Sequence, residues 1–165
     1  MHSLELVGVR VELPANQPIV LLKERDGTRY LPIWIGAVEA TAIAFALQGV
    51  ETSRPLTHDL IVDLFEASGQ HLDAVRITDL RDGTFYAELV LTDRHGDTIE
   101  VSSRPSDAIA IAARLPDVAL YSVSSVLDEA GVELDEDTEE PKPEDQVREF
   151  REFLDSVSPE DFGQA

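Results

Sequence analysis

Two Asp-Gly steps, Asp26-Gly27 and Asp82-Gly83, each sit between short apolar runs, and no other feature narrows the fold of this chain as far. Such a pair between strand-like segments favours a two-residue hairpin, because both residues tolerate positive φ. Residues 19–22 and 30–35 flank the first step, and Val75 with Ile77, then residues 85–91, flank the second. In the last run Phe85, Ala87, Leu89 and Leu91 alternate with Tyr86, Glu88 and Val90, the period of a half-buried strand. The same alternation opens the chain, where Val7, Val9, Val11 and Leu13 are interleaved with Gly8, Arg10 and Glu12 before Pro14-Ala15-Asn16 turns it. A turn at residues 93–97 leads into residues 98–102 and makes the second hairpin a three-stranded meander, and residues 119–123 read as a short last strand.

Between these strands the period changes. Residues 37–47 lack alternation, are rich in alanine and end near Gly49, which predicts a mostly buried helix with small side chains. Pro55 opens a second helical pattern with Leu60/Leu64 and Ile61/Phe65 as i,i+4 pairs and Gly69 as its C-cap. Pro105 opens a third through Arg114, and residues 126–130 give a last helical turn closed by Gly131. The expected fold is α/β in the broad sense, α+β in detail. It is a single compact domain, residues 1–132, with an antiparallel-rich mixed sheet packed by about three helices and followed by an acidic C-terminal tail.

Charge separates that tail from the body. Residues 1–127 hold 10 basic and 18 acidic groups, net −8, whereas residues 128–165 hold 3 and 15, net −12. Residues 133–146, with Pro141-Lys142-Pro143, cannot bury much apolar area and read as an acidic linker. Within residues 147–165, Val147, Phe150, Leu154 and Val157, widened by Phe153, space out as one face of a short amphipathic helix over residues 144–157. Its expected role is to dock on this body, on a neighbouring subunit of a homo-oligomer, or on a protein partner.

Several classes are excluded. Without cysteine there is no disulfide framework, thiolate zinc site or cysteine nucleophile. The four histidines show no zinc-ligand spacing, and neither a phosphate-binding Gly-Lys-Ser/Thr loop nor a Gly-x-Ser-x-Gly elbow occurs. No organic cofactor is expected. No segment approaches the length of a membrane span and no signal-like run opens the chain, so a cytoplasmic protein without membrane contact is expected. A net-acidic body holds polyanions weakly, so a nucleic-acid partner must be bound locally or with metal assistance.

One internal echo points to chemistry. Ser53-Arg54-Pro55 precedes the second helix and Ser103-Arg104-Pro105 the third. Proline suits the first helical position, and the free N–H groups there form an anion site that Arg54 or Arg104 could complete around a phosphate. His58 can move a proton near neutral pH, and Glu39, Asp59 and Asp107 are carboxylates able to hold Mg²⁺ or Mn²⁺. The same residues have a plain structural account. Each Arg can pair with a nearby Asp, Glu39 suits the positive end of its helix, and neighbours such as His58 and Asp59 point about 100° apart.

The strings Tyr30-Leu-Pro-Ile-Trp-Ile-Gly-Ala-Val-Glu-Ala40, Arg54-Pro-Leu-Thr-His-Asp-Leu60, Asp82-Gly-Thr-Phe-Tyr-Ala87 and Arg104-Pro-Ser-Asp-Ala-Ile-Ala-Ile-Ala112 resemble the bifunctional nuclease domain family. The resemblance spans about residues 2–132, and the linker with residues 150–162 looks like the actinobacterial members. It implies a nuclease (hydrolase) acting on phosphodiester bonds of DNA, RNA or both, an activity attributed to plant relatives. Position by position it makes Glu39, His58, Asp59 and Asp107 the catalytic candidates and Arg54 and Arg104 the phosphate-binding ones, with no single role fixed. Some relatives carry a helical hairpin module at the C-terminus that this chain replaces with one short pattern. Two other readings stand beside the nuclease: a non-catalytic oligomeric interaction module, and a sensor of a phosphorylated ligand using the same helix entrances.

Overall fold

The computed structural model describes residues 1–12 and 14–133. Leu13, the linker beyond Glu133, the amphipathic pattern at 144–157 and the rest of the 147–165 tail lie outside the described residues. The chain forms β1 (His2–Glu12), β2 (Gln17–Glu24), β3 (Arg29–Trp34), α1 (Ala37–Leu47), α2 (Thr57–Ser68), β4 (His71–Arg81) and β5 (Thr84–Thr92). Then follow β6 (Thr98–Ser103), α3 (Pro105–Ala112), β7 (Ala119–Ser122), α4 (Ser124–Ala130) and β8 (Val132–Glu133). Glu133, read from sequence as the first linker residue, is thus the last of a strand and pairs with Arg29.

The eight strands make one sheet in the order β6-β5-β4-β7-β1-β2-β3-β8. Every described pairing is antiparallel except β4 with β7, where the chain returns through α3 to lie alongside β4. The sheet is therefore mixed and antiparallel-rich, as the hairpins require. Asp82 (φ 50°) and Gly83 (φ 76°) both take positive φ in the β4–β5 turn, which is the type I′ geometry that favours Asp-Gly. The first Asp-Gly behaves differently. β2 ends at Glu24 and β3 starts at Arg29, and Gly27 is not at positive φ. A Cβ on Gly27 would collide with the Glu24 carboxylate, so glycine is needed there for close approach.

Alternation, reset in β1 by a β-bulge between Leu6 and Gly8, sends Leu4, Val9, Val20, Leu22, Leu31 and Ile33 to one face of the sheet, where they join the core with Val75, Ile77, Leu89 and Leu120. All four described helices add buried or half-buried side chains to this face. α1 was expected to be the mostly buried helix, but it buries only Ala40, Ile43 and Ala44 and leaves Val38 and Leu47 exposed. The buried helix is α3, whose residues from Pro105 to Ala112 are all covered except Asp107 at the margin. It lies on β4 and β5 with α1 and α2 against it, so every face is covered, and alternating alanines allow the close approach. α2 packs through Ile61, Val62 and Phe65 and exposes Leu56, Leu60 and Leu64. It starts at Thr57 instead of Pro55, because the N3 carboxylate of Asp59 accepts a hydrogen bond from Leu56 N–H at 2.8 Å and makes Leu56 the N-cap.

Candidate functional site

α1, α2 and α3 each carry an acidic residue in the first turn, Glu39, Asp59 and Asp107, and none of the three N-caps makes a side-chain cap. Each carboxylate sits at the third helical position, from which it can face the uncapped N–H groups and the positive helix end. Two of them meet through one cation. Arg104, the N-cap of α3, donates from Nε to Asp107 Oδ2 at 2.7 Å and from Nη2 to Asp107 Oδ1 at 2.9 Å. The same Nη2 lies 2.9 Å from Glu39 Oε1.

The third helix enters through His58, whose Nε2 is 3.4 Å from Asp107 Oδ1. Glu39, His58, Arg104 and Asp107 therefore form one cluster drawn from the first turns of three helices. It is graded in depth: the His58 side chain is 11% exposed, Asp107 30% and Arg104 65%. A half-buried imidazole and carboxylate thus stand behind a solvent-facing guanidinium. Burial pushes the Asp107 carboxyl up, but Arg104, helped by His58, overrides this and holds it below the ordinary carboxylate value. Arg104 is correspondingly raised, chiefly by Asp107.

Gly36, the N-cap of α1, belongs to this cluster through space. A Cβ there would run into Glu39 Oε2, so the carboxylate folds back over its own N-cap while also reaching Arg104. Helix-end electrostatics and the cross-helix ion pair are both served by Glu39.

Asp59 and Arg54 fall outside. Asp59 Oδ1 pairs with Arg114 Nε across α2 and α3, and that guanidinium also donates to Ala110 O at 2.7 Å and Ala42 O at 3.1 Å. The Arg114 hydrogen bond lowers the Asp59 carboxyl below its usual value, against a desolvation that raises it. Asp59 is thereby a structural bracket joining α1, α2 and α3 through Arg114. Arg54 is exposed, and its side chain makes no ion pair among the described residues.

Sequence reasoning passed over Arg114. The available signal was a lone charge closing the apolar run from Ala108 to Ala113, since a buried guanidinium demands partners.

The acidic groups of this cluster are occupied by cations of the chain itself. The carboxylate oxygens of Glu39 and Asp107 face Arg104 and His58 nitrogens, and no three His, Asp or Glu side chains among the described residues group so as to hold a metal.

The model of the bifunctional nuclease domain matches residues 20–135, most of the chain. The chain belongs to that family. An uncharacterized protein of Mycobacterium tuberculosis is 55% identical over 98% of both chains. Bifunctional nuclease 2 of rice is 31% identical over 65% of this chain, and bifunctional nuclease 2 of Arabidopsis thaliana is 32% identical over 61%. This chain spans only about a third of each plant protein, 34% and 31% of their lengths. For this bifunctional nuclease domain no helix among the described residues is long and apolar enough to cross a membrane.

Proposed function

We propose that the domain hydrolyses phosphodiester bonds of nucleic acid at the cluster of Glu39, His58, Arg104 and Asp107. The observation that carries this reading is the meeting of an imidazole–carboxylate pair with an exposed arginine at the N-terminal ends of three helices. Arg104 neutralises the phosphate, trading one of its two carboxylates for it. With its Nε2–H donating a hydrogen bond to Asp107, the neutral His58 ring keeps a lone pair on Nδ1. It takes the proton of a water as the water oxygen bonds to phosphorus and the bond to the leaving sugar oxygen breaks. The leaving oxygen gains a proton from solvent. Arg54, exposed on the approach to α2, is the second phosphate-binding candidate, and it brings no carboxylate with it. Two carboxylates against one guanidinium leave the cluster acidic, so binding is weak and salt-sensitive. Mg²⁺ or Mn²⁺ would arrive with the substrate phosphate.

The test is cleavage of plasmid DNA and labelled RNA with Mg²⁺, Mn²⁺ or EDTA by wild type, Arg104→Ala and His58→Ala prepared identically. Loss of cleavage in both variants supports the site; equal cutting by all three assigns the activity to a contaminant or another surface. A nucleotide-dependent rise in Tm with no turnover would favour the phosphorylated-ligand sensor instead.

A second reading, compatible with the first, is that the domain self-associates. Leu56, Leu60 and Leu64 form an i, i+4, i+8 row on the solvent side of α2, and they are 40%, 51% and 56% exposed. Such a row can pack against its own copy across a two-fold axis, ridge into groove.

A further inference from the structure

A second polar cluster, sharing no residue with the first, forms where β1 is held between β7 and β2. His2 pairs with Ser122 of β7, and Leu4, two residues on, stands opposite Glu24 of β2. Alternation therefore puts the His2 and Glu24 side chains on the same face of the sheet. The imidazole bridges two elements: Nδ1 is 2.6 Å from Glu24 Oε1, and Nε2 is 3.1 Å from the Oγ of Ser124, the first residue of α4. Behind Glu24, Arg29 donates from Nε to Oε2 at 2.9 Å and from Nη2 to Oε1 at 3.2 Å. Its Nη1 donates to Asp128 at 2.8 Å, one turn along α4 from Ser124, so the ring of contacts closes on the helix where it began.

The direction of these hydrogen bonds is that of an activated hydroxyl. Arg29 holds the Glu24 carboxyl below its ordinary value, so at neutral pH Glu24 only accepts. Nδ1 then carries the proton it donates, which leaves the Nε2 lone pair to accept from the Ser124 hydroxyl. Burial is graded in the same sense: the Glu24 side chain is 11% exposed, that of His2 31%, and Ser124 is exposed. A carboxylate at depth, an imidazole over it and a hydroxyl within reach of solvent is the order that activates serine. Such a triad is recognised by geometry and roles on unrelated folds, with or without a sequence elbow.

We propose that Ser124, His2 and Glu24 form an acyl-transfer site that hydrolyses esters of small carboxylic acids. Ser124 Oγ bonds to the ester carbonyl carbon as His2 Nε2 takes the hydroxyl proton; the bond from that carbon to the alcohol oxygen breaks, and the alcohol leaves with the proton. Water then bonds to the acyl carbon, giving a proton to the same nitrogen, and the acid departs as Ser124 Oγ regains it. Ser124 and His2 are the catalytic residues, and Glu24 positions the ring. Because the hydroxyl stands exposed, few contacts hold the acyl group, so short, activated esters are the substrates.

The test treats the full chain with a fluorophosphonate, from whose phosphorus Ser124 Oγ displaces fluoride, and locates the adduct by peptide mass spectrometry beside hydrolysis of p-nitrophenyl acetate. Ser124 is expected to label about 10²-fold or more faster than its exposed neighbour Ser125. His2→Gln can still hydrogen-bond the Oγ but cannot take its proton, and should lower labelling and ester hydrolysis about 10²-fold while Tm holds within a few degrees. Glu24→Gln turns its amide oxygen to Arg29 and its NH₂ to Nδ1, so the imidazole ¹⁵N shifts should report the opposite tautomer and labelling should fall. Equal labelling of Ser124 and Ser125, or full Ser124 labelling in His2→Gln, overturns the proposal and leaves the contact as a strap between α4 and β1. Ester hydrolysis undiminished in Ser124→Ala overturns it as well, assigning the activity to another nucleophile.

Discussion

His58 Nε2 and Asp107 Oδ1 lie 3.4 Å apart, joining the first turn of α2 to the first turn of α3. The contact fixes which ring nitrogen faces the carboxylate, and the proposed hydrolysis uses the other for proton transfer. His58→Ala is expected to lower phosphodiester cleavage by about 10²–10⁴-fold, the range of a positioned general base. Asp107→Asn should lower it too, because the amide no longer holds the imidazole in that tautomer. Initial rates on labelled RNA, with circular dichroism to confirm folding, check both; full rates in either variant would remove the pair from the chemistry.

Arg114 should behave in the opposite way, mattering for stability and little for cleavage chemistry. Its side chain is 9% exposed, and its guanidinium holds Asp59, Ala110 O and Ala42 O at once. Arg114→Ala removes hydrogen bonds to two carbonyls and to a carboxylate that is 34% exposed and partly solvated, and is expected to cost about 1–2 kcal/mol. Urea denaturation measures it. A loss within error would mean that Asp59 and the carbonyls find water without penalty.

Acid stability should report the same bracket. The folded Asp59 carboxyl titrates below its usual 3.8, with Arg114 as the main cause. Between the unfolded and folded values the unfolded chain binds more protons, so stability rises with pH there. The contribution is complete above about 3.8 and is lost as pH falls through the lower folded value. Asp107 adds a second contribution of the same sign. Asp59→Asn is expected to flatten the acid limb of the urea midpoint, by less than one proton in slope, although the variant is less stable at neutral pH. An acid limb as steep as wild type's would contradict the assigned shift.

The elements were largely legible in the sequence because most obey local rules. Asp82-Gly83 sits in the turn its chemistry favours, and Phe85, Ala87, Leu89 and Leu91 face the core or its margin as alternation requires. The errors came where tertiary packing decides. Ala-rich α1 and Ala-rich α3 look alike in composition, but only α3 has helices and sheet on all sides. Gly27 fits a turn by type, yet its reason is the Glu24 carboxylate, a contact visible only in space. The candidate site was half legible. The Arg-Pro echo pointed to both helix entrances, but Arg104 found two carboxylates and Arg54 none among the described residues. His58 and Asp59, neighbours on a helix, take different partners, Asp107 and Arg114, and the Arg114 that claims Asp59 is 55 positions away in sequence.

The leucine row on α2 makes self-association measurable. Leu60→Glu/Leu64→Glu removes apolar area that the monomer does not use for its own core, so Tm at low concentration should hold within a few degrees. If α2 pairs with its own copy, sedimentation of wild type shows a dimer that the variant loses. A monomeric wild type at tens of micromolar would assign the row to another partner.

Gly36→Ala offers the sharpest separation of site geometry from fold. The added methyl would occupy the space of Glu39 Oε2, and that atom is the end of a flexible side chain, so the backbone need not move. Gly36 has φ −74°, which alanine adopts freely, and the N-cap makes no side-chain hydrogen bond to lose. Stability should therefore change by less than about 1 kcal/mol. The carboxylate, however, must leave its place over the N-cap, and its 2.9 Å contact with Arg104 is lost or lengthened. Arg104 is then held by Asp107 alone and meets less competition from carboxylate when a phosphate approaches. Tighter binding of a short oligonucleotide, read as a lower Kd by fluorescence anisotropy at low salt, is the expected outcome. Weaker binding would mean that Glu39 aims the guanidinium at phosphate and does not compete for it.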